Sequence, residues 1–148
     1  MRSLSRSLSV LLLVLLAACA GNQIASSEEG VGAASPAAAV ERFIHLSEQK
    51  AYDQMGWVFG TKDGPVAASW DRGEVERRMY AIGTILQHDS YVVGQGVPVP
   101  GRIGQAVGFD VKLLRGATAI SVPFTTVLGP DDRWFVEQVA VEAVTNPQ

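Results

Sequence analysis

The chain has 148 residues, with 12 lysines and arginines against 15 aspartates and glutamates, and its net charge is −3. This length suits one small domain with a single hydrophobic core. A mildly acidic chain is a poor candidate for binding nucleic acid or an anionic lipid surface through charge. One cysteine excludes an internal disulfide framework, and two distant histidines do not have the spacing of a zinc site. We therefore expect no metal, no cofactor and no nucleic-acid partner.

The first 18 residues have the order of a secretory signal peptide. Two cationic residues, Arg2 and Arg6, precede an unbroken apolar run over residues 10–18. That run is too short to span a bilayer, because a transmembrane helix needs about 20 apolar residues. The pattern predicts a signal peptide over residues 1–18.

The apolar run ends in Leu-Ala-Ala-Cys at residues 16–19, which resembles the lipobox of bacterial lipoprotein signal peptides. The resemblance implies that Cys19 receives a diacylglyceryl group, that the peptide before it is removed, and that acyl chains hold the protein at a membrane. Ala20 stands where an aspartate would favour inner-membrane retention, so the resemblance implies the outer membrane in a diderm bacterium. Two alternatives remain: an ordinary secretory signal, and a cytosolic protein with an apolar N-terminus.

Residues 19–35 are rich in serine, alanine and glycine. Such a composition buries too little apolar surface to offset its ordering entropy, so we predict a flexible tether there. Removal of the signal peptide would also remove two arginines, leaving ten basic against 15 acidic residues and a charge of −5. The folded domain is then expected over residues 36–148, held at the membrane by lipid and not by charge.

Three helices are predicted in the N-terminal half. A serine-proline pair at residues 35–36 is a favourable helix start, and apolar residues then follow at helical spacing to about Lys50. A second helical stretch covers residues 51–59. Glycine and proline then indicate an exposed connection over residues 60–70. The third helix begins at Asp71 or Gly73 and runs to about residue 87.

The pattern changes to a period of two after residue 90, which is typical of half-buried strands. Strands are predicted at residues 91–93, 107–114, 118–126 and 134–144, and the prolines at 97–101 indicate irregular or edge structure. Tight turns join consecutive strands into an antiparallel meander. The predicted fold class is α+β, with N-terminal helices packed on one curved antiparallel sheet.

This order of elements is similar to the nuclear transport factor two-like superfamily, which has the cystatin-like cone fold. The resemblance covers roughly residues 36–144 and includes the Lys-Ala-Tyr-Asp step at 50–53 and the Gly-Pro-Asp-Asp-Arg-Trp-Phe-Val run at 129–136. It implies a cone-shaped domain. That superfamily contains isomerases, dehydratases, cyclases, ligand binders and interaction modules, so the shared fold does not select an activity.

An enzyme of this fold would place an acid or base inside the cone, and Asp110 is the weak candidate for that base. It lies mid-strand between Phe109 and Val111, where an inward position would raise its pKa by desolvation. The alternative is that Asp110 and Lys112 occupy the solvated face. His45 is expected on the surface, and His88 as a favourable cation at the end of the third helix.

Tyr52, Trp57 and Tyr91 are candidates for lining an apolar ligand pocket, although aromatic residues of a small domain also build its core. The sequence thus predicts a lipid-anchored envelope protein with a non-enzymatic domain that binds an envelope protein or an apolar ligand. The alternative is a cofactor-independent lyase or isomerase that uses Asp110.

Overall fold

The computed structural model describes residues 30–146, which contain four helices and seven strands. The predicted signal peptide, Cys19 and residues 20–29 of the predicted tether lie outside the described residues. The helices are α1 (Pro36–Glu48), α2 (Tyr52–Met55), α3 (Arg72–Ile85) and α4 (Glu142–Thr145). The strands are β1 (Gly60–Thr61), β2 (Gly64–Pro65), β3 (Ser90–Val93), β4 (Val97–Pro98), β5 (Ala106–Arg115), β6 (Thr118–Leu128) and β7 (Trp134–Val139).

An N-cap side chain lies at the start of each of the two long helices, α1 and α3. The Ser35 hydroxyl accepts a hydrogen bond from the Ala38 amide at 3.2 Å, with proline at the first helical position of α1. The Asp71 carboxylate accepts from the amides of Gly73 and Glu74 at the start of α3. Each cap satisfies amides that have no partner within the helix, so these two predicted starts are confirmed.

A five-stranded antiparallel sheet packs against the helices in the order β3-β5-β6-β7, with β4 also paired to β5. Phe109 lies opposite Phe124, and Val111 lies opposite Val122. All four side chains are buried, whereas Asp110, between Phe109 and Val111 on β5, is exposed. The predicted α+β class, with N-terminal helices on an antiparallel sheet, is confirmed.

The start of the described chain packs against β7. Ala33 is fully buried and pairs with Trp134, and the Val136 amide donates to the Val58 carbonyl at 2.9 Å. These contacts cover the outer edge of β7, which would otherwise present unpaired backbone groups. Residues 32–33, which lie within the predicted tether, are therefore buried and bonded to the fold.

Two further expectations are wrong in detail. The last strand does not run to residue 144: β7 ends at Val139, and α4 begins at Glu142. The Ala143 and Val144 amides bond to the Ala140 and Val141 carbonyls, so the backbone there satisfies itself within a helical turn and does not continue the sheet. Residues 60–70 are not simply an exposed connection. They form the β1-β2 hairpin and a short 3₁₀ turn that buries Val66.

Candidate functional site

A groove of about 660 Å³ lies where the C-terminal ends of α1 and α3 approach the β5–β6 turn. Its lining mixes both charges with polar and apolar groups. The lining residues are Ser47, Glu48, Lys50, Tyr52, Gly83, Thr84, Leu86, Gln87, His88, Asp89 and Arg115. This set alone does not indicate a catalytic cluster, so the chemistry of the groove depends on how each wall is bonded.

His88 forms the buried wall, since only 2% of its side chain is exposed. Its Nδ1 lies 2.7 Å from the Leu86 carbonyl oxygen, and its Nε2 lies 3.0 Å from Glu48 Oε1. Both partners are acceptors, so the two contacts are both hydrogen bonds only when both ring nitrogens carry a proton. Neither nitrogen is open to a substrate, and the ring thus joins α1 to the connection between α3 and β3.

Tyr91 packs edge-on against the His88 ring, with a centroid separation of 5.3 Å. Burial raises the pKa of Tyr91 above its ordinary value, and the nearby carboxylates of Glu48 and Glu41 add to the increase. The phenol therefore remains neutral at physiological pH.

Gly83 allows α3 to approach α1 and α2 closely at the groove. A Cβ at this position would lie 3.0 Å from Ser47 Oγ and 3.1 Å from Tyr52 Cε1. The Tyr52 ring packs edge-on against Tyr80, with centroids 5.4 Å apart. A side chain larger than glycine would thus press on one face of the groove.

Charged residues form the rim of the groove. The Arg115 guanidinium donates to the carbonyl oxygens of Ile85 and Gln87, which lie at and just beyond the end of α3. The Asp89 carboxylate accepts from the Gly116 amide at 2.6 Å. The Lys50 ammonium has no hydrogen-bond or ion-pair partner among residues 30–146, so its charge is available to a ligand.

The structure does not bring the three aromatic candidates together. Tyr52 lines the groove, and Tyr91 lies against its His88 wall. Trp57 is 40% exposed and lines a separate depression of about 240 Å³ beside Arg72. Of the three predicted pocket residues, Tyr52 alone thus lines this groove.

Asp110 lies on the exposed face of the sheet, opposite Pro123. Its carboxylate accepts a hydrogen bond from the Ser121 hydroxyl. It is not among the residues that line the groove, and this position agrees with the solvated-face interpretation. The structure thus gives Asp110 no enclosed site in which to act as a base.

Sequence reasoning did not find the pairing of His88 with Glu48. It placed His88 at the end of the third helix, but α3 ends at Ile85 and the imidazole is buried. The two paired residues are 40 positions apart, and no local pattern relates them. His45, by contrast, has a side chain that is 62% exposed, as expected.

The part of the chain that the structure describes contains no group of three histidine, cysteine, aspartate or glutamate side chains that could hold a metal ion. In that same part, no helix is long and apolar enough to cross a membrane. The chain matches none of the protein-family models, curated proteins or solved structures with which we compared it.

Proposed function

We propose that this chain is a bacterial lipoprotein, anchored to the cell envelope through a lipid on Cys19, whose folded domain is a non-enzymatic binding module. The observation that carries the anchor is the Leu-Ala-Ala-Cys motif at residues 16–19, which follows the apolar run and contains the only cysteine of the chain. Each buried methylene contributes about 0.8 kcal/mol to membrane binding, so two or three acyl chains hold a protein stably where one does not. Ala20 after the cysteine favours the outer membrane.

The anchor would keep the domain close to the membrane. An extended chain spans at most about 3.6 Å per residue, so Gly30 lies within about 40 Å of Cys19. Because residues 30–33 pack against the fold, the reach of the tether is shorter than the sequence pattern indicated. The partner is therefore a molecule found at or near the same membrane surface.

The groove beside His88 is the proposed binding surface. It is open, about 660 Å³ in volume, and lined by charges of both signs beside the Tyr52 ring. Such a lining suits a protein segment that carries polar and charged groups better than it suits a purely apolar ligand. The fold we propose for the module is the cone of the nuclear transport factor two-like superfamily, supported by three helices that precede an antiparallel sheet.

The anchor is tested by substitution of the cysteine. Cys19→Ser is expected to abolish acylation, leaving a species without acyl mass in intact-protein mass spectrometry and without membrane association. Ala20→Ser, one position later, is the matched control and keeps both. Recovery of an acylated, membrane-bound Cys19→Ser protein would exclude this anchor.

The binding surface is tested by a photo-cross-linking amino acid placed at Gln87, an exposed residue of the groove. The control position is Lys112, which is exposed on the sheet and does not line the groove. Cross-linking in intact cells is expected to give a discrete adduct at residue 87 and none at residue 112. Equal adducts at both positions would show that the groove is not the binding surface.

A further inference from the structure

We propose that the contact between His88 and Glu48 is a protonation-sensitive clasp that controls the shape of the groove. The functional consequence rests on the proposed function, because it assumes that the groove is the binding surface. The clasp itself rests only on the positions of the two side chains and their neighbours. It joins the last residue of α1 to the connection between α3 and β3.

The clasp needs one more proton than a neutral imidazole and a carboxylate carry together. The Leu86 carbonyl can only accept, so Nδ1 donates to it over 2.7 Å. A Glu48 carboxylate also accepts, so Nε2 must donate over 3.0 Å. The additional proton resides on His88 more readily than on Glu48, since imidazole is the stronger base.

Titratable and charged groups from several elements surround the ring. Two side chains of α1 lie nearby. Glu48 Oε1 faces Nε2 of His88, and His45 Nδ1 lies 3.5 Å from Glu48 Oε2. The ends of α1 and α3, where helix dipoles favour positive charge, are both adjacent. The other titratable or charged side chains around the clasp are Glu41 from α1, Lys50 and Tyr52 after it, Asp89 beside the ring, Tyr91 from β3 and Arg115 from β5.

Loss of the proton would leave the ring one N–H for two acceptors, so either the bond to Leu86 or the bond to Glu48 would break. A neutral His88 that keeps its Nδ1 hydrogen bond would direct the Nε2 lone pair at the Glu48 carboxylate, and the two acceptors repel. Water has little access to the imidazole and cannot readily replace the lost bond, because the His88 side chain is only 2% exposed. The ring and the carboxylate must then separate, and both line the groove. The wall that His88 and Glu48 form is thus held together at acidic pH and released as the pH rises, which changes the shape of the groove.

Glu48→Gln tests this directly, because an amide can either accept or donate. The oxygen of the new amide would accept from the imidazolium, and its nitrogen would donate to the neutral ring, so the clasp would persist in both states. In the full wild-type chain, we expect the exchange of the Asp89 amide, which is bonded to the Leu114 carbonyl, to accelerate about tenfold from pH 5 to pH 8 after correction for its intrinsic rate. In Glu48→Gln the corrected rate is expected to stay constant.

His45→Asn is the control, since His45 is the only other histidine and also approaches Glu48. This variant is expected to keep the wild-type pH dependence. The ring ¹⁵N shifts of wild-type His88 should show two protonated nitrogens at pH 5. A neutral ring at pH 5, an unchanged pH dependence in Glu48→Gln, or its loss in His45→Asn would each overturn the clasp. These measurements need neither lipid nor partner, so the clasp and the proposed function can fail independently.

Discussion

Ala33 and Trp134 exchange both of their backbone hydrogen bonds, each with a nitrogen–oxygen distance of 2.8 Å. The segment ahead of α1 therefore continues the sheet beyond β7 by a single bridge. Two arginines secure it: Arg42 donates to the carbonyl oxygens of Gly30 and Gly32, and Arg133 donates to that of Val31. These bonds hold residues 30–33 against the fold.

Arg42→Ala is expected to loosen this segment. It removes charged hydrogen bonds to Gly30 and Gly32, so the free energy of unfolding should fall by about 1 to 3 kcal/mol, and the Ala33 amide should exchange faster with solvent. Denaturant unfolding and hydrogen exchange measure the two effects. Arg77→Ala is the control, because Arg77 is exposed and its ion pair with Glu74 lies within α3; exposed pairs contribute about 0 to 1 kcal/mol. Equal exchange at Ala33 in both variants would contradict the role of Arg42.

The helix starts could be predicted because capping is local. Ser35 and Asp71 lie within three residues of the amides that they cap, so the signal is contained in a short stretch of sequence. The pairing of Ala33 with Trp134 joins residues far apart in the chain, and the Gly-Ala-Ser composition around Ala33 is also that of a tether. Composition, together with the helix start at Ser35-Pro36, thus predicted a domain boundary at Pro36.

The candidate site could be predicted only in part, for the same reason. Tyr52 was a candidate because a large aromatic residue is conspicuous in any position, and it lines the groove. His88 was misplaced because its partner, Glu48, is 40 residues away and its burial depends on the packing of two helices and a strand. The final strand was extended too far because Val139 and Val141 keep an alternating pattern, although α4 begins at Glu142.

Tyr91 predicts a loss of stability at alkaline pH. Its pKa in the folded chain is raised above the ordinary value of 10.0 by burial and by Glu48 and Glu41. The unfolded chain therefore releases the phenol proton first as the pH rises, and the free energy of unfolding falls above about pH 10. Below that range Tyr91 is protonated in both states and does not contribute to the pH dependence.

Tyr91→Phe should remove the part of the fall in the free energy of unfolding at alkaline pH that Tyr91 causes. Denaturant unfolding at several pH values from about 9 to about 11 measures it, with the slope against pH as the readout. Tyr80→Phe is the control, because Tyr80 is 57% exposed and its removal should leave the slope unchanged. An identical slope in wild type and Tyr91→Phe would show that Tyr91 titrates equally in the folded and unfolded chains.

Gly56→Ala is expected to be destabilising by about 1 to 3 kcal/mol. An added Cβ would lie 2.3 Å from Val75 Cγ1 and 3.3 Å from Ala67 Cβ. Val75 is buried in α3, and a β-branched side chain in a helix has one strongly preferred rotamer, so it cannot turn away freely. Helix α3 must shift instead.

Denaturant unfolding at neutral pH measures this cost. Gly30→Ala is the matched control, since a Cβ there would meet no atom within 4 Å, and its effect should stay within about 0.5 kcal/mol. A similarly small effect of Gly56→Ala would mean that α2 and α3 are not packed as closely as the structure shows.

Lys50→Glu tests whether the cation at the edge of the groove contributes to binding. Lys50 has a φ of 57° just beyond the end of α1, and glutamate has the same backbone cost there, so the comparison isolates charge from conformation. Its ammonium has no partner within residues 30–146, and reversal of that charge should repel an acidic group of the partner. We expect several-fold less cross-linking from position 87, with the fold retained apart from about 0.3 to 1 kcal/mol of lost helix-dipole stabilisation.

Lys112→Glu makes the same change of net charge on the sheet, where Lys112 is exposed. Because it lies outside the groove, it should leave the adduct at residue 87 unchanged, whereas a general effect of net charge would lower the adduct equally in both variants.

A reduction confined to Lys50→Glu means that the partner presents an acidic group at the end of α1. Since Lys50 lies two residues beyond Glu48, that group would approach the wall that His88 and Glu48 form, and its affinity should follow the protonation of that wall.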